Sequence, residues 1–312
     1  MAPHVRKAWT PAAISAACTW PTWFIECQRG VIAGTGLTAT IESFRFCPVS
    51  MPLPRTDFFD RVLQGPYDRL QASGLARQYL SGEFRLDGEV IGTETRIDFD
   101  GTELTSAEYA QLLMIFTAAR VHEQAQYGIG PDAAPPGVYY TSVQPAILQH
   151  PHKNRIGLYE DMDEGMSLYL GEVDDADDGV EPAIAQALHI DHVFLRHQAP
   201  DWLGTVAFAL CAMTAHRLGY RRITLIAGGG AGYDPHLIGY RYWPKLGFDG
   251  PLEDDERAIP AFGACRTVQD LLEIDETWWA ANGSQRLMEF DLAADSRSWT
   301  KLLDYLMEKE LI

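Results

Sequence analysis

His189, Asp191 and His192 lie close together in the run ALHIDHVFLR, and Glu172 lies in the strand-like run MSLYLGEV that precedes it. An imidazole and carboxylates so near in sequence suit proton transfer, and His192 carries the side chain best tuned to accept a proton near neutral pH. A hydrogen-bonded structural histidine is the plain alternative. Alternate facing along a strand sends His189 and Asp191 to one side and His192 to the other. That facing keeps His189, His192 and His197 from converging on a metal ion, so no metal site is expected.

Other chemistry-bearing residue types lead to less. Gly34-Thr35-Gly36 is a lone GxG without a helical pattern after it, and the GGGAG at 228–232 has no Lys-Ser/Thr following it. Neither is a P-loop, and the second is expected to be a mobile loop with some cofactor contact. The five cysteines (Cys18, Cys27, Cys47, Cys211, Cys265) include no CxxC pair, and neither Cys211, inside a helix face, nor Cys265, without a neighbouring His, has the setting of a nucleophile. The acidic stretch Asp174–Asp178 lacks the spaced oxygen ligands of a calcium loop and reads as a solvated turn.

The elements that must position these residues are clearest in the second half. VYYTSV (138–143), RIGLYE (155–160) and MSLYLGEV (166–173) read as an antiparallel meander leading into ALHIDHVFLR. Next comes PDWLGTVAFALCAMTAHRLGY, whose apolar residues recur every three or four positions, with Asp201 expected as N-cap and Gly219 as the left-handed residue after the helix. RRITLIA follows as a buried strand, so strand, helix and strand make a βαβ unit. From about residue 265 the pattern reads helix, strand, helix, with LMEFDL expected to pair with the chain after Leu246-Gly247-Phe248 and Trp278-Trp279 expected in the core.

The first half is a smaller α+β region. Residues 1 to about 55 read as short strands, 56–80 as helical, and GEFRLDGEVIGTETRIDFDGTEL as hairpins around Asp87-Gly88 and Asp100-Gly101. A helix is expected over Thr105–Gln126. The Gly- and Pro-rich stretch 128–137 marks a boundary, giving residues 1–130 as an N-terminal α+β region and 138–312 as a second domain.

Composition narrows the function classes. The chain has 312 residues, 46% of them hydrophobic, with 25 Lys and Arg against 43 Asp and Glu, a net charge of −18. Such an acidic balance disfavours nucleic acid and anionic membrane surfaces as partners, and it favours a cationic small-molecule or peptide acceptor. No run approaches the length of a membrane span, so a cytoplasmic, reduced protein is expected. No repeat or coiled coil speaks to oligomeric state.

From 138 to about 260 the chain resembles the GNAT (Gcn5-related N-acetyltransferase) superfamily. Two places carry the resemblance. His216-Arg217-Leu218-Gly219-Tyr220-Arg221-Arg222-Ile223-Thr224-Leu225 is similar to the family's central helix running into a strand through a Gly, and Trp243-Pro244-Lys245-Leu246-Gly247-Phe248 is similar to its Tyr-x-Lys-Leu-Gly-Phe segment. The resemblance implies an α/β fold with a GNAT-like mixed central sheet and flanking helices. It implies acetyl-CoA as co-substrate, with an acetyl group passed to a primary amine.

The family's pattern assigns further residues. Val193, Phe194 and Leu195 would offer strand backbone to the pantetheine amides, and Leu203, Gly204, Thr205 and Val206 would offer helix N–H groups to the pyrophosphate. His192, Asp191 or Glu172 would help the amine lose its proton, and Tyr242, adjacent to the family's acid position at Trp243, would protonate the thiolate. The alternative is a catalytically inactive GNAT-fold binding or interaction protein, in keeping with Asp201 in place of the usual Gln or Arg and Trp in place of Tyr at 243.

Overall fold

Tyr140, Ile156, Ile190, Leu225 and Met288 are neighbours across five strands, and all are buried. They form one row on the inner face of the main sheet. The adjacent row carries Gln124, Tyr139, Gly157, His189, Thr224 and Glu289 on the opposite face. Period-two alternation thus gives the sheet one apolar side, against which the helices pack, and one polar side.

The computed structural model describes residues 51–99, 101–130, 133–149, 154–161 and 185–312. Among them a small sheet joins β1 (Met51–Pro52), β5 (Thr102–Thr105) and β4 (Arg96–Phe99). The main sheet has eight strands in the order β11-β10-β9-β8-β7-β6-β2-β3. These are β2 (Phe84–Leu86), β3 (Glu89–Ile91), β6 (Arg120–Gln126), β7 (Gly137–Val143), β8 (Asn154–Asp161), β9 (Ala185–His192), β10 (Arg222–Gly230) and β11 (Ser284–Asp291). Strands β6 to β9 are antiparallel neighbours, β9 and β10 are parallel, and β10 and β11 are antiparallel. The protein is α/β, with a large mixed sheet flanked by helices.

Helix α1 (Gln64–Ala72), entered through a π-helical turn at Phe59–Leu63, α2 (Gly74–Tyr79) and α3 (Ser106–Leu112) pack in the first half. The crossover from β9 to β10 is α4 (Leu203–Arg217), buried on nearly every side as its apolar composition requires. Gly219 is left-handed at φ 79°, as expected for the residue after this helix. Its N-cap is Trp202 at φ 65°, which makes no side-chain cap bond. Asp201 is exposed one residue earlier and does not cap the helix.

A short α5 (Gly239–Tyr242) continues as a 3₁₀ turn, Trp243–Leu246, and is followed by α6 (Asp254–Arg257), α7 (Val268–Asn282) and α8 (Arg297–Glu308). Phe248 sits between Phe208 of α4 and Phe290 of β11, with ring centroids 5.1 and 5.7 Å away, and Trp243 joins the cluster 5.2 Å from Phe248. Gly247, at φ 96°, has no room for a side chain: a Cβ there would lie 2.3 Å from the Ser298 carbonyl. The Leu-Gly-Phe segment is therefore fixed by packing. Trp279 is buried and donates from Nε1 to the Tyr240 carbonyl at 2.9 Å, a core position.

Several expectations are revised. The helix over Thr105–Gln126 stops at Leu112; Met114 and Ala118 turn left-handed, and Arg120–Gln126 is strand β6. Residues 128–137 connect β6 to its antiparallel neighbour β7 within one sheet. β11 pairs with β10, while the chain after Phe248 meets its backbone at the bridge Asp249–Glu289 and does not form a strand beside it. Gly228–Gly230 ends β10, and a Cβ at Gly229 would lie 1.9 Å from the Leu237 carbonyl, so close backbone approach accounts for that glycine. Residues 1–50, the 166–173 strand and the 174–178 turn lie outside the described residues. No helix among the described residues is long and apolar enough to cross a membrane.

Candidate functional site

The register of β8 and β9 skips a residue. Ile156 faces Ile190 and Arg155 faces His192, which leaves Asp191 as the extra residue of a β-bulge. The bulge undoes the strict alternation expected of this strand, and Asp191 and His192 come together: His192 Nδ1 stands 3.0 Å from Asp191 Oδ2. The same oxygen accepts from Arg155 Nη1. The Asp191 side chain is 5% exposed and that of His192 is 37% exposed, so the carboxylate is enclosed and the imidazole reaches the surface.

Burial pushes the Asp191 carboxyl up, but the hydrogen bonds and charges of His192 and Arg155 outweigh it and hold the group below the usual carboxylate range. Asp191 is therefore an anion at neutral pH. It serves as an acceptor that orients its neighbours rather than as a group that takes up protons. His189, one turn of the strand earlier, is enclosed, and burial drives its imidazolium down to about 4. Its Nδ1 lies 3.0 Å from Thr224 Oγ1, which is also 3.3 Å from the Tyr159 hydroxyl. His189 is a neutral structural histidine.

Arg155 is itself fixed from three sides. Its guanidinium lies 3.7 Å over the Tyr139 ring and donates from Nη2 to Gln126 Oε1 at 2.7 Å. Tyr139 lies across Gly157, where a Cβ would be 2.3 Å from the ring, and its hydroxyl donates to the Pro135 carbonyl at 2.7 Å. Gln126 Nε2 donates to the carbonyls of Ala134 and Pro135. The Gly/Pro connection thus buttresses this polar layer.

Past the bulge, the two parallel strands part. The ladder between β9 and β10 ends at Ile190–Leu225, although β10 runs on to Gly230. Beyond it the chain turns to residues 147–149: Gln149 N–H donates to the Phe194 carbonyl and Arg196 N–H to the Ile147 carbonyl, across the bridge Leu148–Leu195. In an extended chain this directs the N–H and C=O of Val193 and Leu195 the other way, toward the side of β10.

Helix α4 starts at this opening. A Cβ at Gly204 would meet Leu195 Cδ1 at 3.2 Å and the Tyr242 hydroxyl at 3.4 Å. Tyr242 shares a hydrogen bond of 3.1 Å with Thr205 Oγ1, and burial pushes its phenol up to about 12. Leu203, Thr205 and Val206 are buried and Gly204 is half-buried. Tyr242 also lines a groove of about 700 Å³ that includes Gln269, Trp279, Tyr305 and Lys309.

Two groups of sequence-predicted residues are thus assembled separately: Asp191 with His192, and Leu195 with Gly204, Thr205 and Tyr242. Three residues of extended chain, His192 to Leu195, separate them by roughly 10 Å. Phe194 turns its backbone to the 147–149 segment and away from β10. Glu172 lies outside the described residues. Among the described residues no three His, Cys, Asp or Glu gather to hold a metal ion.

Sequence reasoning did not find Arg155, Tyr139 or Gln126. The signal for Arg155 was an arginine next to the apolar Ile156-Gly157-Leu158 of β8, where a half-buried cation demands a partner. Compared with family models, curated proteins and solved structures, the chain has no match.

Proposed function

We propose that the chain is a CoA-dependent N-acyltransferase of GNAT type, moving an acetyl group from acetyl-CoA to a primary amine. The observation that supports it most is the meeting of Leu195, Gly204 and Tyr242 where β9 leaves β10. Strand backbone directed into such an opening suits the pantetheine amides, and at the start of α4, where the N–H groups of Leu203 and Val206 donate to the Pro200 and Trp202 carbonyls, those of Gly204 and Thr205 suit a pyrophosphate.

In the reaction the amine nitrogen attacks the thioester carbonyl, and the tetrahedral adduct collapses with loss of the CoA thiolate. His192 accepts the proton that the nitrogen sheds, with Asp191 holding its ring. Tyr242 returns a proton to the thiolate sulfur. The acidic surface suits a cationic acceptor such as a polyamine, an aminoglycoside-like compound or a lysine-rich peptide.

The test is release of free thiol from acetyl-CoA in the presence of a panel of such amines. Turnover is expected with at least one of them, falling about 10²-fold or more in His192→Gln and Tyr242→Phe. Absence of turnover across the panel contradicts the proposal and leaves the inactive binding fold, whereas turnover unchanged in both variants contradicts the roles given to His192 and Tyr242.

A further inference from the structure

We propose that Arg155 is a positioning residue that sets the tautomer and proton affinity of His192 through their shared acceptor, Asp191 Oδ2. The catalytic use of that histidine rests on the function proposed above; the coupling itself does not.

The geometry carries it. One carboxylate oxygen accepts from Arg155 Nη1 and stands 3.0 Å from His192 Nδ1, so whatever fixes the guanidinium also fixes the anion that the imidazole sees. The guanidinium has little freedom, being laid on Tyr139, bonded to Gln126 and 20% exposed. An anionic acceptor at Nδ1 favours the neutral tautomer protonated there, which places the lone pair on Nε2. Arg155 also offsets part of the attraction that Asp191 would otherwise exert on an imidazolium. The dyad is thereby kept from binding its proton too tightly. Among the described residues, the charged or titratable groups beside His192 include Asp191 and His189 of β9, and Arg155 of β8 across the register.

Planarity matters to this arrangement. The fork of Arg155 reaches Asp191 with one nitrogen and Gln126 with the other while its face rests on an aromatic ring, which a lysine cannot reproduce. A lysine can still supply the charge.

The experiment is imidazole NMR of the full chain titrated with acid and base, with the His192 resonances assigned by His192→Gln. In Arg155→Gln the His192 midpoint is expected to rise by about 0.5–1 pH unit, because the carboxylate is no longer shared. In Asp191→Asn it is expected to fall by about 1 unit, with the neutral tautomer shifting toward Nε2–H. Arg155→Lys is expected to bring the midpoint back near that of the parent chain.

A folded Arg155→Gln variant whose His192 midpoint and tautomer match the parent overturns the proposal. Should that variant not fold, Asp191→Asn decides alone, since an unchanged midpoint there breaks the chain of contacts. Shifted midpoints together with no thiol release for any amine retain the positioning role and remove the acyl transfer. If transfer is observed, the acid limb of its pH profile is expected to move with the NMR midpoint.

Discussion

His192 Nδ1 and Asp191 Oδ2 stand 3.0 Å apart, although the two residues are consecutive in a strand. Consecutive strand residues normally face opposite sides of a sheet, and only the bulge opposite Arg155–Ile156 lets these two meet. The same irregularity comes just where β9 begins to part from β10. One extra residue therefore serves both the contact of His192 with Asp191 and the opening beside it.

Gly157→Ala is expected to destabilise the protein by about 1–3 kcal/mol, the usual cost of overpacking. The added Cβ would lie 2.3 Å from Tyr139 Cε1 and 2.5 Å from Cζ, so the ring must leave its place under Arg155. Urea unfolding measures the change. Gly74→Ala is the control, because nothing lies within 4 Å of a Cβ in that helical position, and it is expected to be neutral or stabilising. Equal effects of the two substitutions would contradict the packing described for Tyr139.

Asp249 is expected to make stability fall as pH rises. Burial lifts its carboxyl to about 6, against hydrogen bonds from Gln269 and Gly250. A folded pKa above the unfolded value gives stability that is fully present below about pH 4 and lost as pH rises through about 6. His189, lowered by burial to about 4, acts in the opposite sense: its contribution is present above about 6.5 and lost as pH falls toward 4. Asp249→Asn keeps the single oxygen that both backbone N–H groups use, so it isolates the first effect. It is expected to gain about 2 kcal/mol at pH 7 and little at pH 4. A gain of equal size at both values would rule the titration out.

The sequence made much of this legible, and the reasons differ by element. β11 and α8 carry a clear period, β10 is a short apolar run between turns, and α4 is apolar almost throughout, and each folds accordingly. The run Leu112-Leu113-Met114-Ile115-Phe116 misled because it is buried throughout, and a continuous apolar run does not distinguish a helix from the turn that ends one. Strand β6 was hidden for the opposite reason: apart from Val121 it buries almost nothing, so it shows no alternation. The Asp191–His192 pair could not be read at all, since a bulge is a property of pairing between strands and not of one strand. Arg155, Tyr139 and Gln126 come from three strands that only the sheet order brings together.

Glu256→Gln is expected to cost about 3–5 kcal/mol. Arg286 is 4% exposed and bonds both oxygens of Glu256 while lying 4.7 Å from the Trp279 ring, so the neutral amide would leave a buried cation without its counter-charge. The double variant Glu256→Leu with Arg286→Met removes both charges and is expected to cost less than the single one. A double variant at least as damaging as the single would show that hydrogen bonds from Arg286 to Pro251 and Ser284, rather than the ion pair, hold this region.

The central claim is that an acyl-CoA binds where β9, the start of α4 and Tyr242 meet. The most direct measurement is calorimetric titration of the full chain with acetyl-CoA and with free CoA, repeated on Gly204→Glu. In that variant the new side chain would project between Leu195 and Tyr242 and set a carboxylate at the proposed phosphate position. Binding in the micromolar range that the substitution abolishes, with the variant's unfolding midpoint little changed, is the expected result. No heat at millimolar cofactor, or equal affinity in both proteins, would contradict it.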